Sequence, residues 1–137
     1  MKRLTSAELP AFLRTYRFAG GKLRRLKVQY GVGEKLTLDL HLVARPIRKE
    51  LGNDPKPVKL HLQLIAVEEF RFAKRPSVTA GKVPDARFGF FEGLAFVTFD
   101  AWSLLPGEIP RALDFRASDA YAAGRELYWE EIAPKPA

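Results

Sequence analysis

The two histidines of this chain occur in matching settings, "DLHLV" around His41 and "KLHLQ" around His61. In strands of period two both point to the polar face. A pairing symmetric about Leu51 sets them opposite each other, with Asp39 and Gln63 adjoining. Two imidazoles and a carboxylate are the donor types of a metal site with an open position, so His41, His61 and Asp39 are the candidate ligands of a metal-binding protein or enzyme. Arg25 and Lys27, brought alongside by the same alternation, oppose a cation there. The competing reading needs no metal or other cofactor and makes both side chains hydrogen-bonded strand histidines.

Other catalytic arrangements find little support. Ser6, Ser77, Ser103 and Ser118 are scattered, and none lies in a nucleophile-elbow setting. Glu68 with Glu69 and Glu130 with Glu131 are adjacent in strand-like sequence, which sends the members of each pair to opposite faces. The glycine clusters "AGGK", "GVG" and "AAG" lack the strand-to-helix context of a phosphate loop. Without cysteine there is no thiolate nucleophile, thiolate metal site or disulfide. The expectation is a protein that is not an enzyme.

Charge is divided unevenly. Residues 1–59 hold 14 Lys and Arg against 5 acids, whereas residues 60–137 hold 9 against 11. The basic patch gathers Lys22, Arg24, Arg25 and Lys27 with Arg45, Arg48 and Lys49, which is the composition of a phosphate-binding stripe and makes nucleic acid an alternative partner. Such binders also present aromatics for stacking, but the alternation turns Tyr30 inward. At 137 residues with 47% apolar content, the chain is expected to form a single domain over residues 1–137. No stretch approaches the roughly 18 apolar residues of a membrane span, so a cytoplasmic protein without a membrane partner is expected.

The elements that must position these residues follow from periodicity. Thr5 and Glu8 have the spacing of a capping box, and Leu9, Phe12, Leu13 and Tyr16 recur at helical intervals. They predict one helix over about residues 6–18, whose start slides to Leu9 if Pro10 is decisive, and which "AGGK" ends. "LRRLKVQY" and "LTLDLHLVA" alternate as strands of a hairpin in which Tyr30 faces Leu36 and Lys27 faces Asp39. "VKLHLQLIA" is a third strand, and "VEEFRFAK" follows with its phase shifted between Ala66 and Glu68, the mark of a bulge. "ARFGFFEGLAFVTFDAW" reads as two strands about Glu92 and Gly93. "ALDFRASDAYAAGRELYWEEI" reads as two short strands or one bent strand, with a frayed tail over 133–137. Seven or eight strands with one N-terminal helix predict a mainly β protein, either an antiparallel β-sandwich or a strongly curved antiparallel sheet.

The aromatic hairpin is apolar on both sides: Phe88, Phe90, Ala95, Val97 and Phe99 share one face, and Phe91, Leu94 and Phe96 share the other. A strand apolar on two sides must be covered on two sides. One cover is the sheet itself, and the other is either the helix bearing Leu9, Phe12 and Leu13 or a second copy of the chain. Tyr128 and Trp129 point to opposite sides of the last strand, one in the core and the other near Glu126, Glu130 and Glu131. Those acids suit Arg24, Arg25 and Lys27 of a neighbouring strand or chain. Phe91, Leu94, Phe96, Tyr128 and Trp129 are thus the candidate contact residues of a module that binds itself or another protein.

Over residues 18–73, "VKLHLQLIAVEEFRF" following the hairpin "GGKLRRLKVQYGVGEKLTLDLHL" resembles small β-rich bacterial proteins, among them some immunity proteins of polymorphic toxin systems. The resemblance implies a binding protein without catalysis. It carries over no functional residue.

Overall fold

A computed structural model describes residues 1–31, 35–47, 56–72, 82–83, 86–99, 110–118 and 120–132. In chain order the elements are β1 (Lys2–Arg3), α1 (Leu9–Thr15), β2 (Tyr16–Tyr30), β3 (Leu36–Pro46), β4 (Val58–Phe72), β5 (Lys82–Val83), β6 (Arg87–Phe91), β7 (Leu94–Thr98), α2 (Ala112–Arg116) and β8 (Ala120–Ile132). All strand pairs are antiparallel and belong to one sheet of order β5-β2-β3-β4-β8-β7-β6. β1 pairs with β8 on the edge that β7 also uses, further along the strand.

The sheet is one curled layer rather than a two-sheet sandwich. Five strand spacings separate β2 from β6, about 24 Å in a flat sheet. Yet the rings of Phe18 in β2 and Phe88 in β6 lie 5.3 Å apart between centroids. The two ends of the sheet therefore roll toward each other without closing into a barrel. Irregularities in the long strands supply the bends. In β2 the register shifts between Arg17 and Lys22, where Gly20 adopts a φ of 75° and Gly21 lies so close to the carbonyl of Val43 that a Cβ would collide with it. In β4 Ala66 adopts a φ of 54°, and the register against β8 shifts between Val67 and Glu69. That is the phase change read from Ala66 to Glu68.

Inside the roll, Leu38, Leu40, Leu60, Leu62 and Leu64 are fully buried, and Trp129 and Leu9 pack against the same cluster. α1 is shorter than the helix expected over 6–18. Pro10 sits in its first turn, Glu8 is the N-cap without a side-chain cap bond, and Tyr16 is already extended. "AGGK" accordingly bends a strand and does not end a helix. Phe12 fills the mouth of the roll, 5.5 Å from the Phe88 ring and 5.0 Å from Trp129, while Leu13 stays exposed.

The last segment differs from its expected all-strand form. Residues 112–116 are the helix α2, and residues 120–132 are one continuous strand. A helix of this length shows no helical repeat for periodicity to detect. Phe115 of α2 is 1% exposed and stacks 5.6 Å from Phe96 and 5.9 Å from Phe91. The absent side chain of Gly89 leaves room for it, since a Cβ there would come within 3.2 Å of the Phe115 ring.

Arg116 fastens this lid. Its guanidinium donates two hydrogen bonds of 2.9 Å to Glu69 and a third of 3.1 Å to Glu92, and it lies over the face of Phe96. The Arg116 bonds hold the Glu69 carboxyl below its usual range, assisted by the Tyr121 hydroxyl and against the opposing effect of burial. The aromatic hairpin is thus covered within one chain on both faces, by α1 and Phe18 on one side and by α2 on the other.

Candidate functional site

β2 changes character along its length. Tyr16 and Phe18 are buried, but every residue from Arg24 to Tyr30 is exposed. The local sequence does not account for this, because Leu26, Val28 and Tyr30 alternate as core residues do. Their cross-strand partners Leu40 and Leu38 are indeed fully buried. Leu26 and Val28 nevertheless remain 39% and 40% exposed and Tyr30 80% exposed. They face the side on which the roll lies but remain exposed there, so the inward-pointing Tyr30 of the sequence reading is an exposed aromatic.

The outer edge of this strand is also open. β5 pairs with β2 at Gly21 and Lys22, and beyond Lys22 no other strand among the described residues takes up that edge. Arg24 is the extra residue of a bulge between Leu23 and Arg25. After it the ladder with β3 runs regularly to Tyr30, leaving a row of backbone donors and acceptors on the far side.

The basic patch collects here. Lys22, Arg24, Arg25 and Lys27 are exposed on β2, and Arg45 is exposed on β3. Arg48 and Lys49 lie outside the described residues. Among the described residues no carboxylate lies within ion-pair distance of Lys22, Arg24, Arg25 or Lys27, whereas Arg3, Arg116 and Arg125 each have one. Arg25 and Lys27 point to the outer face and Leu26, Val28 and Tyr30 to the other.

The strands pair in the register symmetric about Leu51, with His41 opposite His61 and Asp39 opposite Gln63. The rings lie 4.8 Å apart between centroids. Asp39 is nearly buried and faces Lys27 across the strands, but its oxygens serve other partners: His61 Nε2 at 2.7 Å, Gln63 at 3.2 Å and Gln29 at 3.4 Å. His61 Nδ1 reaches Glu130 at 3.3 Å. Both nitrogens of His61 therefore already face carboxylates. Among the described residues no group of three or more His, Asp or Glu side chains is arranged to hold a metal.

The His41 imidazole is held below its ordinary value, first by burial and then by His61 and the cations Arg25 and Lys59, with Asp39 opposing. The unfolded chain therefore binds more protons than the folded one just below the ordinary histidine value of 6.5. Stability is full above that pH and is lost as pH falls through it toward the depressed folded value. Denaturant midpoints measured across that window are expected to fall with acidification in the native chain and to fall less in His41→Gln. Equal slopes would remove His41 as the cause.

The remaining contact candidates fall elsewhere. Phe96 and Leu94 are buried and Phe91 is half-buried beneath Phe115, so the hairpin leaves little of this face for a partner. Trp129 packs inward on Phe12 and Tyr16, and the Tyr128 hydroxyl donates to Glu126 on the opposite face. The acids of β8 do not meet Arg24, Arg25 or Lys27, because β3 and β4 intervene. Glu126 pairs with Arg3, Glu130 with His61 and the N-terminus, and Glu131 accepts from Tyr16.

A notch of about 290 Å³ opens between β1 and the turn at Glu92 and Gly93. Its arginines, Arg3 and Arg125, are already paired with Glu126 and Glu68. Against the whole chain, no protein-family model, curated protein or solved structure gives a match.

Proposed function

We propose that this protein is a non-enzymatic binding module whose working surface is the free edge of β2 over residues 24–30. The observation that carries the reading is one strand that, among the described residues, joins an open hydrogen-bonding edge, exposed apolar side chains and cations without an ion-pair partner. Sheet edges of this kind recruit a polypeptide as an added strand, with backbone bonds supplying affinity and alternate side chains supplying specificity. An immunity-type role, implied by the resemblance over residues 18–73, is one form of the reading, with a toxin as the partner. Self-association through the aromatic hairpin has less support, since α2 covers that face.

A nucleic-acid partner is the second reading, favoured by Tyr30 standing 80% exposed on a basic strand. It ranks second because Arg25 and Lys27 lie on the face opposite Tyr30. A single strand whose phosphates follow those cations does not bring its bases onto that ring.

Amide hydrogen exchange of the isolated protein, followed residue by residue, tests the edge. Outward-facing amides over 24–30 are expected to exchange quickly when the chain is alone and to slow in extract of the source cell. Protection of those amides in the isolated chain would overturn the proposal, and so would slowing confined to other surfaces.

A further inference from the structure

Building on the edge reading, we infer that the occupant of β2 is an extended acidic polypeptide segment with apolar residues at alternate positions. Three observations narrow the choice to this chemistry.

Residues 9–33 contain Arg14, Arg17, Lys22, Arg24, Arg25 and Lys27 and no Asp or Glu. Among the described residues these edge cations have no carboxylate within ion-pair distance, although Asp39 stands opposite Lys27 in β3. An incoming strand therefore meets net positive charge on the outer face, and carboxylates opposite Arg25 and Lys27 form favourable cross-strand pairs.

On the other face Leu26, Val28 and Tyr30 present a ladder of exposed apolar side chains. Residues directly opposite in an antiparallel pair share a face, so the partner's apolar positions fall against these three and its acids against Arg25 and Lys27. The bulge at Arg24 and the pairing of β5 with Lys22 bound the dock at its start.

The same charges weigh against a second copy in the registers that set them opposite each other. An antiparallel pairing of β2 with itself about Leu26 sets Arg25 against the Lys27 of the copy, twice by symmetry, and like charges directly opposite are destabilising. Registers centred on Leu26 or Lys27 are thus penalised, the one centred on Val28 is not, and an acidic strand is favoured in any of them.

The test uses the full chain and fluorescent synthetic peptides long enough to span residues 24–30. A peptide of alternating Glu and Val is expected to bind and to slow exchange of the edge amides, whereas one of the same composition without the alternation binds more weakly. Charge reversal by Arg25→Glu with Lys27→Glu is expected to weaken binding roughly tenfold, as two cross-strand pairs change from attraction to repulsion. The same variant gains affinity for the alternating Lys and Val peptide. Tyr30→Ser, at a side chain 80% exposed, weakens the Glu and Val peptide while leaving the thermal midpoint in place.

Equal binding of the two Glu and Val orders would reduce the effect to net charge and overturn the inference. Tighter binding of oligothymidylate at the same amides would transfer the edge to nucleic acid, and a dimer protecting them would transfer it to a second copy. If the amides over 24–30 are open in the isolated chain and slow in extract, yet the peptide does not bind, this inference fails and the edge reading stands. If they are closed from the start, the edge reading itself fails.

Discussion

Phe115→Ala is expected to lower the unfolding free energy by about 3–5 kcal/mol, the range for deleting a fully buried phenylalanine ring. Phe115 is the part of α2 that reaches the core, and its ring covers both Phe91 and Phe96. Nothing else described can slide into the gap, because Arg116 is tied to Glu69 and Glu92 across it. Denaturant unfolding should show a lower midpoint at an unchanged slope, the sign of lost packing rather than an altered unfolded state. A loss below about 1 kcal/mol would indicate that the outer face of the hairpin does not depend on this lid.

Phe12→Ala is expected to cost a similar amount, about 3–5 kcal/mol, for a different reason. Phe12 is 4% exposed and touches four rings, Tyr16, Phe18, Phe88 and Trp129, at centroid distances of 5.0–5.6 Å. Those rings come from β2, β6 and β8, so Phe12 plugs the seam where the two ends of the rolled sheet meet. Its removal leaves a cavity at a seam where no strand ladder among the described residues holds the ends together.

The two substitutions share no ring partner and act on opposite faces of the hairpin. Their effects should therefore add within about 0.5 kcal/mol in the double variant. Strong coupling would mean that the faces are not covered independently.

Much of this arrangement is legible in the residues themselves. Alternation with a short hairpin sets Tyr30 against Leu36 and Lys27 against Asp39, whereas for His41 and His61 it gives only a shared face: the long connection between their strands leaves the register open, and the fold supplied their opposition. The same rule divides the hairpin phenylalanines into two faces and locates the irregularity near Ala66. Parity is a local property, and local sequence is enough to state it.

Which of those faces is wet was decided by the tertiary fold. Phe96 and Tyr30 both satisfy an apolar alternation, yet one is fully buried and the other is 80% exposed. The difference arises because the sheet curls, bringing Phe18 to Phe88 across five strand spacings and stopping short of the end of β2. Burial is a sum over residues distant in sequence, so a periodic pattern names the side a residue points to but not whether anything waits there. α2 was hidden for a related reason: its lid depends on Phe115 finding Phe91 and Phe96 from far along the chain.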